Sequence, residues 1–265
     1  MKRFIAAILA IVLALSCMAC SKGAADKQAQ TAPTTGEKEI RVSDYRPPDT
    51  LDPCASPNLI TQRISKNIYD GLVFIDKDLN YQPAVATSWE QVDPLTYVFE
   101  ISDAYVFQNG EPLEMEDVVY SILRLKNTAL VSEAASGIAD VTYEGRTLTV
   151  TLKEANNSVM PIVLCWLCIM NKSYVEEMGD DALNLKPCGT GPYAVTEYDP
   201  ANKVVLETWD GYPFEQPDIK KITFVGDTES ANRYIAVETN QSQMCSNLGY
   251  TDGMRAKEAR GIEVA

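Results

Sequence analysis

The chain has 265 residues, 46% apolar and 23% charged, enough to bury a sizeable core in one or two domains. A formal charge of −14 would be repelled by a nucleic-acid backbone, so nucleic acid is not an expected partner. There is no histidine, which removes the usual general base near neutral pH, the Ser-His-Asp and Cys-His arrangements, and the commonest transition-metal ligand.

In chain order, Met1-Lys2-Arg3 is a basic start and Phe4 to Ala19 a continuous apolar run of 16 residues. A spanning helix needs roughly 20, and no later stretch is long and apolar enough. Residues 1–19 therefore read as a secretory signal, and the mature chain is expected to be exported. Ala19-Cys20 at its end resembles a bacterial lipobox, which implies a diacylglyceryl thioether on Cys20 and a membrane anchor facing the periplasm or cell exterior. Cys17, after Ser16, is the second candidate. The third position before the cleavage site departs from that pattern: lipoboxes usually carry Leu there, and this sequence has Cys17, or Ala14 for the other site.

Residues 20–38, rich in Ala, Thr, Gln and Lys, read as a flexible tether. Glu39 to Asp44 alternates as a short strand, and Pro47-Pro48 cannot continue it. Ile60, Ile64 and Ile68 predict a helix of about three turns stopped by Gly71. Leu72 to Ile75, "PAVATSWEQV" and "LTYVFEIS" read as strands of a meander, the last two joined at Asp93-Pro94. Met115, Val118, Val119, Ile122 and Leu125 make one apolar stripe of a second helix, with Glu114, Glu116 and Asp117 crowding its positive end.

Val141 to Leu152 predicts a hairpin around Glu144-Gly145. A second hairpin flanks Pro200-Ala-Asn202, and "KKITFVGD" is a third strand beside it. Thr228 to Asn240 and Gly253 to Arg260 read as helices. Cys165 and Cys168 have redox-motif spacing but lie in the apolar run Val159 to Met170, so they read as small core residues on a buried helix. The five cysteines from Cys54 to Cys245 are odd in number and cannot all pair within the chain. The mixture is α+β, without strict βαβ alternation.

Six phrases stand in one order: "LDP" at 51–53, "IYDGLVFID" at 68–76, "PAVATSWE" at 83–90, "LTYVFEI" at 95–101, "FQNGEPLEMEDVVYSILR" at 107–124 and "CGTGPYAVTEY" at 188–198. Together they resemble the family 5 extracellular solute-binding proteins, the peptide, dipeptide and nickel receptors of ABC importers. The resemblance implies a two-lobed periplasmic-binding-protein fold (type II, cluster C), with 39–50 opening lobe I, 51–187 an inserted domain and 188–265 returning to lobe I. Gly189 and Gly191 have a physical reason to stand at that return, where close backbone approach excludes a Cβ. Family members usually run to about twice this length, so lobe II and the closing strands of lobe I are expected beyond Ala265. Glu114 stands where relatives tend to carry a capping Thr, and Cys188 where an aliphatic residue is usual.

The resemblance also implies a monomeric binding module that takes a small solute, a short peptide first, and hands it to an ABC permease and its ATPase subunits. No catalytic group, metal or cofactor is then needed. By position, Ser56 and Ile60 after "LDP", Glu133 after the second helix and Trp166 before "NKSYV" are the implied ligand contacts. Two other readings stay open: a truncated remnant that transports nothing, and a secreted hydrolase using paired carboxylates such as Glu116-Asp117 or Asp180-Asp181.

Overall fold

The computed structural model describes residues 38–128, 132–155 and 166–264. The signal run, Cys17, Cys20, the tether up to residue 37, and the first part of the apolar run with Cys165 lie outside the described residues.

The chain enters as β1 (Lys38–Asp44), whose inner end is buried, and turns at Pro47-Pro48 into a loop that reaches α1 (Leu59–Ile68). Ile60, Ile64 and Ile68 form the predicted stripe, each no more than 1% exposed. The helix stops at Ile68 and not at a glycine cap. Tyr69 is already extended (φ −123°, ψ 141°) and buried, and the carbonyl of Asp70 accepts from Ile169 N. Core burial of Tyr69 and pairing to a neighbouring segment end the helix before Gly71 is reached.

A small hairpin follows, β2 (Val73–Ile75) with β3 (Tyr81–Pro83). Next come β4 (Ala86–Asp93), β5 (Thr96–Ile101), α2 (Met115–Asn127), a single turn α3 (Ser132–Ala135), β6 (Ile138–Glu144) and β7 (Thr147–Leu152). Gly145, at φ 58°, makes the β6–β7 turn, which a Cβ would strain. The strands pair antiparallel in the order β4-β5-β7-β6, and Phe99 lies opposite Leu148, both buried. On α2, Val118, Ile122 and Leu125 point into the core as their spacing predicts.

Leu167 to Met170 are buried, but they are not helical. An apolar run of this length fits a buried helix and a buried extended segment equally. Partners from other elements decide it: Ile169 N donates to Asp70 O, Met170 N to Ser121 Oγ, and Lys66 Nζ to Leu167 O. The segment threads between α1 and α2. Two short helices, α4 (Lys172–Met178) and α5 (Asp180–Leu185), close this half.

The return segment, residues 188–192, packs against the end of α1. A Cβ on Gly189 would stand 2.0 Å from Ile68 O, and one on Gly191 2.7 Å from Asn67 O. The close approach expected of these glycines is therefore present. Beyond them β8 (Tyr193–Asp199), β9 (Lys203–Thr208) and β10 (Ile219–Gly226) lead through α6 (Ser230–Glu238) to β11 (Met244–Cys245) and α7 (Tyr250–Glu258). The last helix begins three residues before Gly253, with Gly249 at its N-cap and Gly249 N held by Ser230 Oγ.

The second sheet has the order β11-β1-β10-β9-β8. Within it β1 runs parallel to β10, with Val42 opposite Phe224, and parallel to β11 at Val42 and Ser43. The β10-α6-β11 step is a βαβ connection that local alternation did not reveal. One continuous core runs from Val42 through the four-stranded sheet to Phe224.

Candidate functional site

In open sheets with parallel strands, ligands bind beyond the strands' carboxyl ends. Here those ends are Asp44, Gly226 and Cys245, side by side. Asp44 is 1% exposed; it accepts from Arg63 of α1, from the Ser246 hydroxyl and from Tyr45 N. The Arg63 side chain is part-exposed and also reaches Ser246 Oγ at 3.3 Å. Behind this corner the Arg233 guanidinium is buried and donates to the carbonyls of Asp227, Ser246 and Asn247, fastening the loops after β10 and β11 to α6.

The loop from β1 to α1 wraps the start of that helix. Asn58 Nδ2 bridges Asp49 and Ser56 Oγ, Thr61 Oγ1 donates to Thr50 O, and Gln62 Nε2 donates to Pro53 O and Ser56 O. Asp52 extends the loop to α2. Its carboxylate takes both amino groups of Arg124 at 2.9 and 2.8 Å, with both side chains largely buried. Arg124 also meets Met170 Sδ at 3.9 Å. One turn further, Thr128 Oγ1 donates to Arg124 O, and Thr128 O accepts from Ser132 N at the start of α3. Beside the pair, burial raises the Cys54 thiol to about 12, against the opposing pull of Arg124. Such a thiol is no nucleophile at neutral pH.

Two separate segments thus reach Arg124, the loop through Asp52 and the threaded segment through Met170, while α3 follows the end of its own helix. The four residues expected at the ligand lie on that loop, on α1, on α3 and just before the threaded segment. Ser56 is 3% exposed, with its hydroxyl and carbonyl both engaged. Ile60 is 1% exposed and belongs to the core. Glu133 on α3 is exposed, and Trp166 is half-buried just before the Leu167 carbonyl held by Lys66. Ser56 and Ile60 are thus buried in the fold, and Glu133 and Trp166 reach solvent. The Asp44–Arg63–Ser246 corner went unnoticed in the sequence. Its one local signal was an Asp ending a strand, because its members are 19 and 202 positions apart.

Of the carboxylate pairs considered as hydrolytic groups, Glu116-Asp117 is occupied by the fold. Asp117 accepts from Lys172 N and Glu114 N, the latter as the third-residue half of a helix cap, and Glu116 accepts from Tyr143 at 2.6 Å. The side chains of Asp180 and Asp181 lie outside the described set. Among the described residues no group of three or more Cys, Asp or Glu is placed to hold a metal ion.

The family model for bacterial extracellular solute-binding proteins, family 5 Middle, matches residues 80–265. The chain belongs to this family. The glutathione-binding protein GsiB of Salmonella paratyphi A is 23% identical over 244 residues, which cover 88% of this chain and 46% of GsiB. The oligopeptide-binding protein AppA of Bacillus subtilis, solved with a nonapeptide, superposes with a TM-score of 0.75 at 19% identity, over 84% of this chain and 46% of AppA. A nickel ABC transporter protein from Bacillus halodurans gives 0.71 at 23%, over 85% of this chain and 46% of that one. The chain spans about half the length of the relatives it matches. Its fold is that part of the two-lobed periplasmic-binding-protein architecture, and the family is one of receptors, not of enzymes.

Proposed function

We propose that this chain belongs to a lipid-tethered receptor that captures a short peptide and presents it to an ABC permease and its ATPase subunits. The family match over residues 80–265 carries the reading. Surface chemistry supports it: part-exposed Arg63 at the strand ends and exposed Glu133 on α3 offer charges for a peptide's two termini, and half-buried Trp166 offers apolar surface. Ser56 and Ile60 shape the wall from within. In this reading residues 39–50 and 188–265 are lobe I, and 51–187 are a domain inserted into it. The division is supported by a five-stranded sheet built from 38–44 and 193–245, and a four-stranded sheet built wholly from 86–152.

The tether is tested in a bacterium fed an alkyne analogue of palmitate. The chain is expected in the membrane fraction carrying the label, and Cys20→Ala is expected to lose both. Label that persists in Cys20→Ala and vanishes in Cys17→Ala moves the anchor to Cys17. An unlabelled, freely secreted parent chain rules out the tether.

A further inference from the structure

One face of α1 carries three polar atoms that have no hydrogen-bond partner: Gln62 Oε1, Ser65 Oγ and, just past the helix end, Tyr69 Oη. Gln62 and Ser65, three residues apart, share one side of the helix, and Tyr69 follows four residues on as its buried C-cap. The side chains are 8%, 0% and 1% exposed, so bulk water does not serve them. The orientation of Gln62 is fixed from outside the stripe. Its Nε2 donates to the carbonyls of Pro53 and Ser56, and turning the amide over would set oxygen against oxygen and strand the NH2 group. Its Oε1 therefore points away from those carbonyls and accepts nothing.

Tyr69 closes the other end of the stripe. Its hydroxyl is raised first by burial, then by Cys168 and Asp52, with Arg124 opposing, so it lies near the same loop that Gln62 holds. Asp52 is committed to Arg124 in a two-point pair, and both oxygens are used. Within the described residues the stripe has an acceptor-only oxygen at one end and two hydroxyls that both donate and accept. Among the described residues the nearby charges are those of Asp52 and Arg124, already matched to each other, so nothing balances the charge of a buried amine or metal ion. Water, which donates twice and accepts twice, satisfies all three atoms.

We infer that the space between α1 and the Asp52–Ser56 loop is a built hydration site, holding ordered water between Gln62 Oε1, Ser65 Oγ and Tyr69 Oη. Buried polar groups without protein partners are the places where internal water is found, and leaving them dry is unfavourable. The water sits beneath the loop that carries Ser56, and Gln62 passes its constraint to the Ser56 carbonyl. The inference stands whether or not a peptide binds above it.

The test is a crystal structure of the full chain fine enough to show water, paired with urea unfolding of Tyr69→Phe and Ser65→Ala. Density is expected within about 3.2 Å of Tyr69 Oη and Ser65 Oγ. Each variant removes one hydroxyl with little change of shape and strips the water of a partner, so each is expected to raise the unfolding equilibrium constant about fivefold. A dry site, a Tyr69 hydroxyl bonded to a protein group, or variants as stable as the parent would overturn the inference. A dry, unpartnered hydroxyl is removed at no loss.

Discussion

Asp70 shows how one residue of a family-like phrase acquires a property its letters do not display. The carboxyl is half-buried where α1 ends, and desolvation raises it to about 6 against two opposing effects, the hydroxyl of Thr190 at 3.2 Å and the ammonium of Lys66. Tyr105 and Tyr212 face it from the neighbouring loops, and Cys168 from the threaded segment. Because the folded value lies above the ordinary 3.8, folding favours the protonated form. That contribution is complete below about 4 and is lost as pH rises through about 6. Asp70→Asn imitates the protonated group at every pH. It is expected to be more stable than the parent at pH 7, by roughly 2 kcal/mol, with the difference vanishing near pH 4. Urea titrations at four pH values between these limits check it, and a constant difference would contradict it. "IYDGLVFID" announces a turn and a strand; burial under Thr190, 120 positions away, is a property of the fold alone.

Among elements, the joint between the loop after β1 and α2 rests on the Asp52–Arg124 pair. A buried pair contributes little net stability against an apolar substitute, yet removing one partner leaves the other charged and unsatisfied. Arg124→Ala is expected to lower stability by about 3–5 kcal/mol, and Asp52→Asn combined with Arg124→Leu to recover much of that loss. Thermal unfolding of the two variants and the parent checks this, and equal loss in single and double variants would contradict it.

The same elements show what could be read in advance. The stripes of α1 and α2, the β6–β7 hairpin and the β8–β9–β10 ladder are local patterns, and they stand where their periodicities place them. Leu167 to Met170 misled because composition says buried without saying helical. Their hydrogen bonds go to Asp70, Ser121 and Lys66, which no local window contains. The parallel β1–β10–β11 pairing escaped for a related reason, since Val42 and Phe224 meet across most of the chain. Ser56, Glu133 and Trp166 were pointed to by family resemblance alone, and the Asp52–Arg124 pair, 72 positions apart, had no local signal.

For the molecule as a whole, the proposed solute position lies beyond the ends of β1, β10 and β11, beside Arg63. The chain spans about half of its relatives, and a peptide tested against these residues alone meets only the contacts they supply. Each further charge-assisted contact is worth roughly 1.5–3 kcal/mol, and with the few offered here the expected affinity is about millimolar. The four-stranded sheet β4-β5-β7-β6 is built apart from these strand ends and should not respond. The most direct measurement is a titration of the isotope-labelled chain with unmodified tripeptides, followed by amide NMR shifts. The account predicts millimolar, saturable shifts gathered on Asp44 to Arg63, Glu133, Trp166 and Ser246, with β4 to β7 unmoved and the peptide intact. Shifts centred on the β4–β7 sheet, no saturable shift at all, or cleavage of the peptide would contradict it.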